Sequence, residues 1–223
     1  MAAKRYKLID VGSKIGGSLG KYRKMLPGTI LRQPQPKPSD CLAIERNKKY
    51  EQTLRDAGYD VLIRDFFDLI DKKELPKSDV YLACNVLEHF KSIEASKHAL
   101  KHMIWNSYVG VWLRLPSFEQ DETGEGRLRE HNLRFSWTSW RHHSSHFCLQ
   151  HVKELLSTLD IKHTLRITPG RVIATSDYPS IVPNLDQPEL DNYDPQLHGP
   201  RTNVIFNPPI VGEWDVQIAL KWK

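Results

Sequence analysis

Short apolar runs alternate with segments of helical character through the first 115 residues, and this alternation restricts the fold more than any other feature of the sequence. Strands that alternate with helices form a mostly parallel sheet with helices on both faces. The sequence therefore predicts an α/β fold. The runs typical of buried strands are "YKLIDVG", "CLAIE", "DVLIRD", "DVYLACNVL" and "YVGVWLRL".

The alternating pattern is interrupted twice in the second half of the chain. The 223 residues suit one α/β domain, and we predict a single domain over residues 1–223. An insertion at about 116–147 follows the fifth strand, and a proline-rich wrap occupies about 177–209. "WDVQIALKW" alternates apolar and polar residues and is predicted to close the chain as a strand.

The composition is that of a soluble globular protein, with 39% hydrophobic and 26% charged residues. No apolar run approaches the ~20 residues that a membrane helix requires. The first strand begins so close to Met1 that we expect no signal peptide. None of the three cysteines belongs to a CxxC pair, so we expect free thiols in a reducing compartment and predict a cytoplasmic protein.

Positive charge is concentrated at the start of the chain. The net charge is +5, and residues 1–50 contain twelve Lys and Arg. Such a region attracts nucleic acid or another anion, or it forms a solvated basic helix face around "GKYRKM". We favour the second interpretation. Less than half of the sequence lies outside the predicted core, and that part is scattered, so no target-recognition domain is visible and we predict a small-molecule partner rather than a nucleic acid.

A glycine-rich turn follows the first strand. "LIDVGSKIGGSLG" contains four glycines before a helix that we expect to begin at Ser18. Backbone N–H groups and the helix dipole bind polar ligands at such turns, and glycine allows a close approach. The next three strands end at Glu45, Asp65 and Asn85. Because the carboxyl ends of parallel strands share one edge, these side chains should meet in one crevice.

These segments together resemble the class I S-adenosylmethionine-dependent methyltransferases. The resemblance rests on "LIDVGSKIGGS", "CLAIE", "LIRDFFD" and "DVYLACNVLEHF", and it continues more weakly in "HFCLQHVKELLSTLDI". It implies a Rossmann-like, seven-stranded, mostly parallel sheet with helices on both faces and an antiparallel last strand. It also implies S-adenosylmethionine as the cofactor and methyl transfer as the reaction.

The resemblance also implies individual roles. The methionine amino group would lie near Asp10, the ribose at Glu45, the adenine amine at Asp65 and the adenine ring against Phe66. The motif "NVLEHF" would line the methionine part and the substrate side. The implied cofactor-binding residues are Asp10, Gly12, Ser13, Gly16, Glu45, Arg46, Asp65, Phe66, Asn85 and Val86.

One residue departs from the family pattern. Lys14 occupies the middle glycine of the usual acid-x-Gly-x-Gly-x-Gly run, which predicts that the loop bends differently or directs Lys14 outward. A dinucleotide cofactor is disfavoured, because the segment after the fourth strand has no glycine with which to form a second phosphate loop.

The segment "RLREHNLRFSWTSWRHHSSHF", residues 127–147, is predicted to form a lid over the substrate. It contains four arginines, four histidines and two tryptophans. A neutral histidine can accept a proton from a methyl acceptor, and the catalytic candidates are His142, His143 and His146. The candidates for substrate contact, some of them in "NVLEHF", are Glu88, His89, Arg134, Trp137, Trp140 and Arg141.

Structural roles are the alternative for these residues. Ser144 or Ser145 would then cap the following helix, His146 would pack beneath it, and the tryptophans would form the core of the lid. Glu88 and His89 would anchor the start of a helix. A metal site of His142, His143 and His146 is a further alternative. No Cys or Asp stands at ligand spacing nearby, however, and we predict no metal.

"NVIFNPPIVGEW", residues 203–214, is similar to the Asn-Pro-Pro-aromatic motif of amino-group methyltransferases. Ile210 replaces the aromatic residue, and the segment lies far beyond the fourth strand. We interpret it as a turn that leads into the last strand.

The predicted function is in-line transfer of a methyl group from S-adenosylmethionine to a small acceptor, anionic or aromatic in character. Two alternatives stay open at this point. One is a nucleic-acid methyltransferase, and the other is a module that binds S-adenosylmethionine or a partner without catalysis.

Overall fold

The computed structural model describes residues 4–140, 142–183, 193–201 and 203–221. The strands are β1 (Tyr6–Val11), β2 (Cys41–Glu45), β3 (Asp60–Ile63), β4 (Ser78–Cys84), β5 (Ser107–Pro116), β6 (Leu133–Phe135), β7 (Lys162–Thr175), β8 (Ile181–Pro183) and β9 (Ile205–Lys221). The α-helices are α1 (Gly17–Met25), α2 (Glu51–Asp56), α3 (Phe66–Asp71), α4 (Ile93–Trp105), α5 (Glu125–Arg129), α6 (Leu149–Thr158) and α7 (Pro195–His198).

The main sheet has seven strands in the order β3-β2-β1-β4-β5-β9-β7. The first five strands pair in parallel. The last strand, β9, runs antiparallel between β5 and β7. The predicted fold, a mostly parallel seven-stranded sheet whose last strand is antiparallel, is therefore confirmed.

Both faces of the central strands are buried, which explains why they are apolar at nearly every position. In β1, Leu8 packs with α1 on one face and Ile9 packs with α4 on the other. Val80 and Tyr81 divide in the same way in β4. Successive side chains of a strand point to opposite faces, so a sheet covered twice requires a continuous apolar run.

The predicted insertion and the predicted wrap pack against each other beyond the main sheet. Within the insertion, β6 pairs antiparallel with β8 of the wrap. A separate apolar cluster fills the space between them, with Leu128, Phe135, Ile181 and Phe206 among its members. The remainder of the wrap, residues 184–192, lies outside the described residues.

Two local predictions were wrong. Helix α1 begins at Gly17, not Ser18, because Gly16 has a φ of 78° and ends the turn one residue earlier. The segment 203–214 is not a turn before the last strand, since most of it belongs to β9. Its prolines cannot donate to the sheet, and the pairing with β7 is interrupted between Ile205 and Ile210.

Candidate cofactor and acceptor cleft

The turn after β1 is built from alternating left-handed residues. Gly12, Lys14 and Gly16 have φ angles of 71°, 48° and 78°. Ser13 lies between them and donates its hydroxyl to the carbonyl of Asp10 at 2.9 Å. A Cβ on Gly12 would lie 2.8 Å from Val86, so only glycine allows the turn to approach the end of β4 this closely.

Lys14 keeps the backbone conformation that a glycine would have at its position. Its side chain is exposed, and its backbone N–H donates to Glu45 Oε2 at 2.9 Å. Lys14 also lines the cleft described below, so neither a changed bend of the loop nor an outward Lys14 is needed to accommodate it. A non-glycine residue in the left-handed region costs about 1–2 kcal/mol.

Lys14→Gly is expected to raise the free energy of unfolding by about 0.5–1 kcal/mol, because relief of the left-handed strain exceeds the added entropy of the unfolded chain. Urea denaturation measures the change. Lys37→Gly is the matched control, since Lys37 is also exposed but has a φ of −69°. It should lower stability, and equal effects of the two variants would contradict the strain argument.

A cleft of about 1050 Å³ runs along the carboxyl ends of β1, β2, β3 and β4. Most of the residues predicted from sequence to bind a cofactor or an acceptor are on its surface. The predicted residues that line it are Gly12, Glu45, Arg46, Asp65, Phe66, Asn85, Val86, His89, Trp140 and His142. Four other predicted residues lie behind this lining: Asp10 and Ser13 are buried at the end of β1, Gly16 packs on Leu54 and Tyr59, and Glu88 is 1% exposed.

Two acidic residues connect the strand ends to the loops beside the cleft. Glu45 is buried, and its carboxylate accepts backbone N–H groups from Lys14 at 2.9 Å and from Asn47 at 2.8 Å. Asp65 caps helix α3 by accepting the N–H of Phe67 at 2.8 Å. These bonds hold both carboxylates in position at the edge of the cleft. Each carboxylate retains lone pairs for further donors.

Three buried acceptor atoms near the cleft have no hydrogen-bond partner among the described residues: Asp10 Oδ2, Asn85 Oδ1 and Glu88 Oε2. Burial, with a smaller contribution from the charge of Glu45, raises the pKa of Asp10 to about 7. Burial also raises the pKa of Glu88 to about 8. Because unpaired buried acceptors are costly, their grouping favours a cationic or donor-rich ligand.

One wall of the cleft is aromatic. Phe66 stacks with Phe90, with ring centroids 6.5 Å apart and planes 8° apart. Phe67 meets Phe90 edge-on at 4.9 Å and also stacks with His98 at 6.4 Å. This wall suits a flat ring.

The predicted lid is bonded to the segment that follows β4. His89 Nδ1 lies 3.0 Å from the carbonyl of His142, and the N–H of Ser145 donates to the carbonyl of Glu88 at 3.1 Å. Trp140 contacts both His89 and His143 edge-on. The residues predicted for substrate contact and catalysis are thus partly brought together here.

Other residues of the lid lie elsewhere. His146 stacks on Phe118 at 4.6 Å, and Trp137 stacks on Phe135 at 4.3 Å. Arg134 lies in β6. Trp137 and Arg134 are not among the described residues that line the cleft. Arg141 lies outside the described residues.

The alternative in which Ser144 or Ser145 caps α6 was wrong, because the N-cap is Cys148. Ser145 instead lies 3.0 Å, hydroxyl to hydroxyl, from Ser96 of α4. The loop is therefore held by the helix after the fourth strand.

A buried ionic network beneath the cleft was not anticipated from the sequence. The guanidinium of Arg114 donates to Glu213 at 2.7 Å, to the hydroxyl of Tyr22 at 2.9 Å and to the carbonyl of Gly170 at 2.7 Å. Asn85 donates its amide to Glu213 at 3.2 Å, which links the network to the cleft. An arginine inside the apolar run "YVGVWLRL" is the one signal in the sequence that points to such a network.

Comparison with known proteins gives matches of structure only. The sequence matches no family model and no curated protein. The structure is similar to an S-adenosylmethionine-dependent methyltransferase from Archaeoglobus fulgidus (TM-score 0.58, 14% identity, 97% of this chain and 86% of that one). It is also similar to an O-methyltransferase family protein from Burkholderia thailandensis (TM-score 0.55, 11% identity), covering 97% of this chain and 51% of that one.

A third similar structure is the plantazolicin methyltransferase BamL in complex with a triazolic desmethylPZN analogue and S-adenosylhomocysteine. Its TM-score is 0.52 at 11% identity, over 96% of this chain and 77% of that one. The chain has the class I methyltransferase fold. The chain spans about half of the Burkholderia protein and most of the other two.

In the class I methyltransferase fold seen here, the glycine turn and the ends of β2, β3 and β4 all lie along one cleft, as the positions of the strand ends predicted. Among the described residues, no helix is long and apolar enough to cross a membrane.

Proposed function

We propose that the protein transfers a methyl group from S-adenosylmethionine to a small acceptor of anionic or aromatic character. The observation that carries this proposal is the cleft at the carboxyl ends of β1 to β4, with two carboxylates held at its edge and unpartnered buried acceptors nearby. When bound, S-adenosylmethionine supplies a methyl group on a sulfonium, which an acceptor atom attacks in line. A cleft of about 1050 Å³ has room for this cofactor beside a small acceptor.

The described residues fit the cofactor. Glu45 would accept hydrogen bonds from the ribose hydroxyls, and Asp65 from the adenine amine. Phe66 belongs to the aromatic wall that suits the adenine ring. The unpartnered oxygens of Asp10 and Asn85 provide acceptors for the ammonium of the methionine part.

The lid residues support the assignment of the acceptor side. His142 and Trp140 line the cleft, so we propose His142 as the base for acceptors that must lose a proton, and Trp140 as an aromatic contact. Lys14, Arg46 and Lys91 line the cleft together with several acidic residues, and we propose that these three cations contact an anionic acceptor. The three free cysteines support our proposal of a cytoplasmic location.

Calorimetric titration with S-adenosylmethionine and with S-adenosylhomocysteine tests the proposal. We expect the wild type to bind both, and Glu45→Ala to bind each about 100-fold more weakly, since it loses charge-assisted hydrogen bonds worth about 1.5–3 kcal/mol each. Asp65→Ala should weaken binding by about tenfold. A wild type that is folded but binds neither compound would refute the cofactor assignment.

Asp68→Ala is the matched control. Asp68 is an exposed carboxylate three residues after Asp65 on the same helix and does not line the cleft. It should bind like the wild type, and a loss equal to that of Asp65→Ala would contradict the assignment of the adenine site.

Assays of S-adenosylhomocysteine formation with anionic metabolites, aromatic metabolites or oligonucleotides as the acceptor would then separate small-molecule from nucleic-acid methylation. Binding without turnover on any acceptor would favour the non-catalytic alternative.

A further inference from the structure

One buried carboxylate has no role in the proposed binding of S-adenosylmethionine. Glu88 is 1% exposed, and its Oε2 has no hydrogen-bond partner among the described residues. An ionised carboxylate in such a place costs several kcal/mol unless a cation neutralises it.

Two imidazoles stand beside this carboxylate in defined orientations. His89 Nδ1 lies 3.0 Å from the carbonyl of His142, and His143 Nδ1 lies 2.8 Å from the carbonyl of Trp137. A carbonyl accepts only from a protonated nitrogen, so in both neutral rings the lone pair is on Nε2. Metal-binding histidines are oriented by hydrogen bonds of this kind.

We propose that Glu88, His89 and His143 bind a divalent first-row transition-metal ion at the acceptor end of the cleft. The ligand atoms of the three side chains lie within 4.8 Å of one another. A point therefore exists within about 2.8 Å of all three, and small side-chain rotations reach the ~2.0–2.2 Å of a bound zinc ion. This set of ligands differs from the alternative metal site of His142, His143 and His146. It also differs from our prediction that the protein binds no metal.

The donor atoms define the class of ion. Two imidazole nitrogens and one carboxylate suit Zn²⁺, Co²⁺, Fe²⁺ or Mn²⁺, whereas Mg²⁺ prefers oxygen ligands alone. Three protein ligands leave at least one coordination position open, as in catalytic rather than structural zinc sites. His89 also lines the cleft, so the site adjoins the space in which we place the acceptor.

The consequence for the reaction rests on the proposed function. An ion at this position would bind an oxygen of the acceptor and lower the pKa of its hydroxyl. The acceptor oxygen would lose its proton to water or to His142 and then form a bond to the methyl carbon as the carbon–sulfur bond breaks. The proposal thus narrows the acceptor class to compounds with a hydroxyl group.

Metal titration of the full chain after treatment with a chelator tests the site without any acceptor. We expect one Co²⁺ per chain with visible absorption bands of a site that contains nitrogen ligands, and displacement of Co²⁺ by Zn²⁺. Calorimetry should show Mg²⁺ binding at least tenfold more weakly than Zn²⁺. Glu88→Gln and His143→Asn should each weaken Zn²⁺ binding by about 100-fold, since each removes a ligand of the ion.

His163→Asn is the control, because His163 lies in β7 and its Nδ1 is also next to a carbonyl, at 2.9 Å from that of Ile161. It should bind Zn²⁺ like the wild type. Absence of stoichiometric binding, or binding that both Glu88→Gln and His143→Asn retain, would overturn the proposal. Titration of the same samples with S-adenosylhomocysteine keeps the two proposals separate, because cofactor binding without metal binding would refute only the metal site.

Discussion

Arg114→Met is expected to lower the free energy of unfolding by about 3–5 kcal/mol, the cost of removing one partner from a buried ion pair. The side chains of Arg114 and Glu213 are 11% and 7% exposed. Without the guanidinium, Glu213 and Asp215 would repel each other below the cleft, with Arg171 as the remaining cation 3.4 Å from Glu213. The substitution keeps most of the side-chain volume, so the loss reports on charge rather than packing.

Urea denaturation with a single transition measures this loss. Arg166→Met is the control, since Arg166 is an exposed arginine on β7, which pairs with the strand of Glu213, and it should change stability by less than about 0.5 kcal/mol. Glu213→Gln should lower the free energy of unfolding by an amount between those of Arg114→Met and Arg166→Met, because the amide still accepts a hydrogen bond from Arg114. A loss below about 1 kcal/mol for Arg114→Met would show that the network is solvated and contributes little.

Asp10→Asn is expected to stabilise the ligand-free protein at pH 8 and to remove a pH dependence that the wild type shows. Burial holds the pKa of Asp10 at about 7, compared with 3.8 for the free side chain. Between these values the folded state keeps a proton that the unfolded state has lost, so stability falls as the pH rises through this window. The difference between these two pKa values corresponds to roughly 4 kcal/mol of stability, nearly all of it lost by pH 8.

The free energy of unfolding of both proteins, measured in urea at pH 5, 6, 7 and 8, checks this prediction. The difference between Asp10→Asn and wild type should grow with pH and become constant above pH 7. Asp68→Asn provides the exposed control, and its curve should parallel that of the wild type. If the curve of Asp10→Asn instead ran parallel to that of the wild type, Asp10 would be ionised over the whole pH range and paired with a cation.

A bound ligand should reverse part of this effect. If the ammonium of S-adenosylhomocysteine pairs with Asp10, as the proposed function requires, the compound will stabilise the wild type more than Asp10→Asn at pH 8. Equal stabilisation of the two proteins would place the ammonium elsewhere in the cleft.

The main features of the cleft were predictable because they depend on local periodicity. Residues at the ends of successive parallel strands must share one edge of the sheet, so Glu45, Asp65 and Asn85 could be placed without knowledge of tertiary contacts. The glycine turn was predictable for a similar reason, since left-handed backbone favours Gly12 and Gly16. Lys14 was the exception, because nothing in its residue type indicates a left-handed conformation.

The lid was less predictable, because residues 127–147 have no period that assigns side chains to a face. His142, His143 and His146 are close in sequence and carry the same chemistry. The structure nevertheless places His142 on the cleft, His143 beside Glu88 and His146 on Phe118. A loop without repeated hydrogen bonding takes its shape from the surfaces that it packs against.

The sequence by itself therefore determined the class of fold and the acidic residues at the strand ends, because strand periodicity is a local property, while the seven-stranded sheet was implied by the family resemblance. Only the tertiary structure decided which polar groups meet inside. Arg114 contacts Glu213 from 99 positions away, and His143 reaches Glu88 through a loop held by Ser145 and Ser96. Such contacts depend on how distant segments pack, and residue spacing along the chain carries no information about that packing.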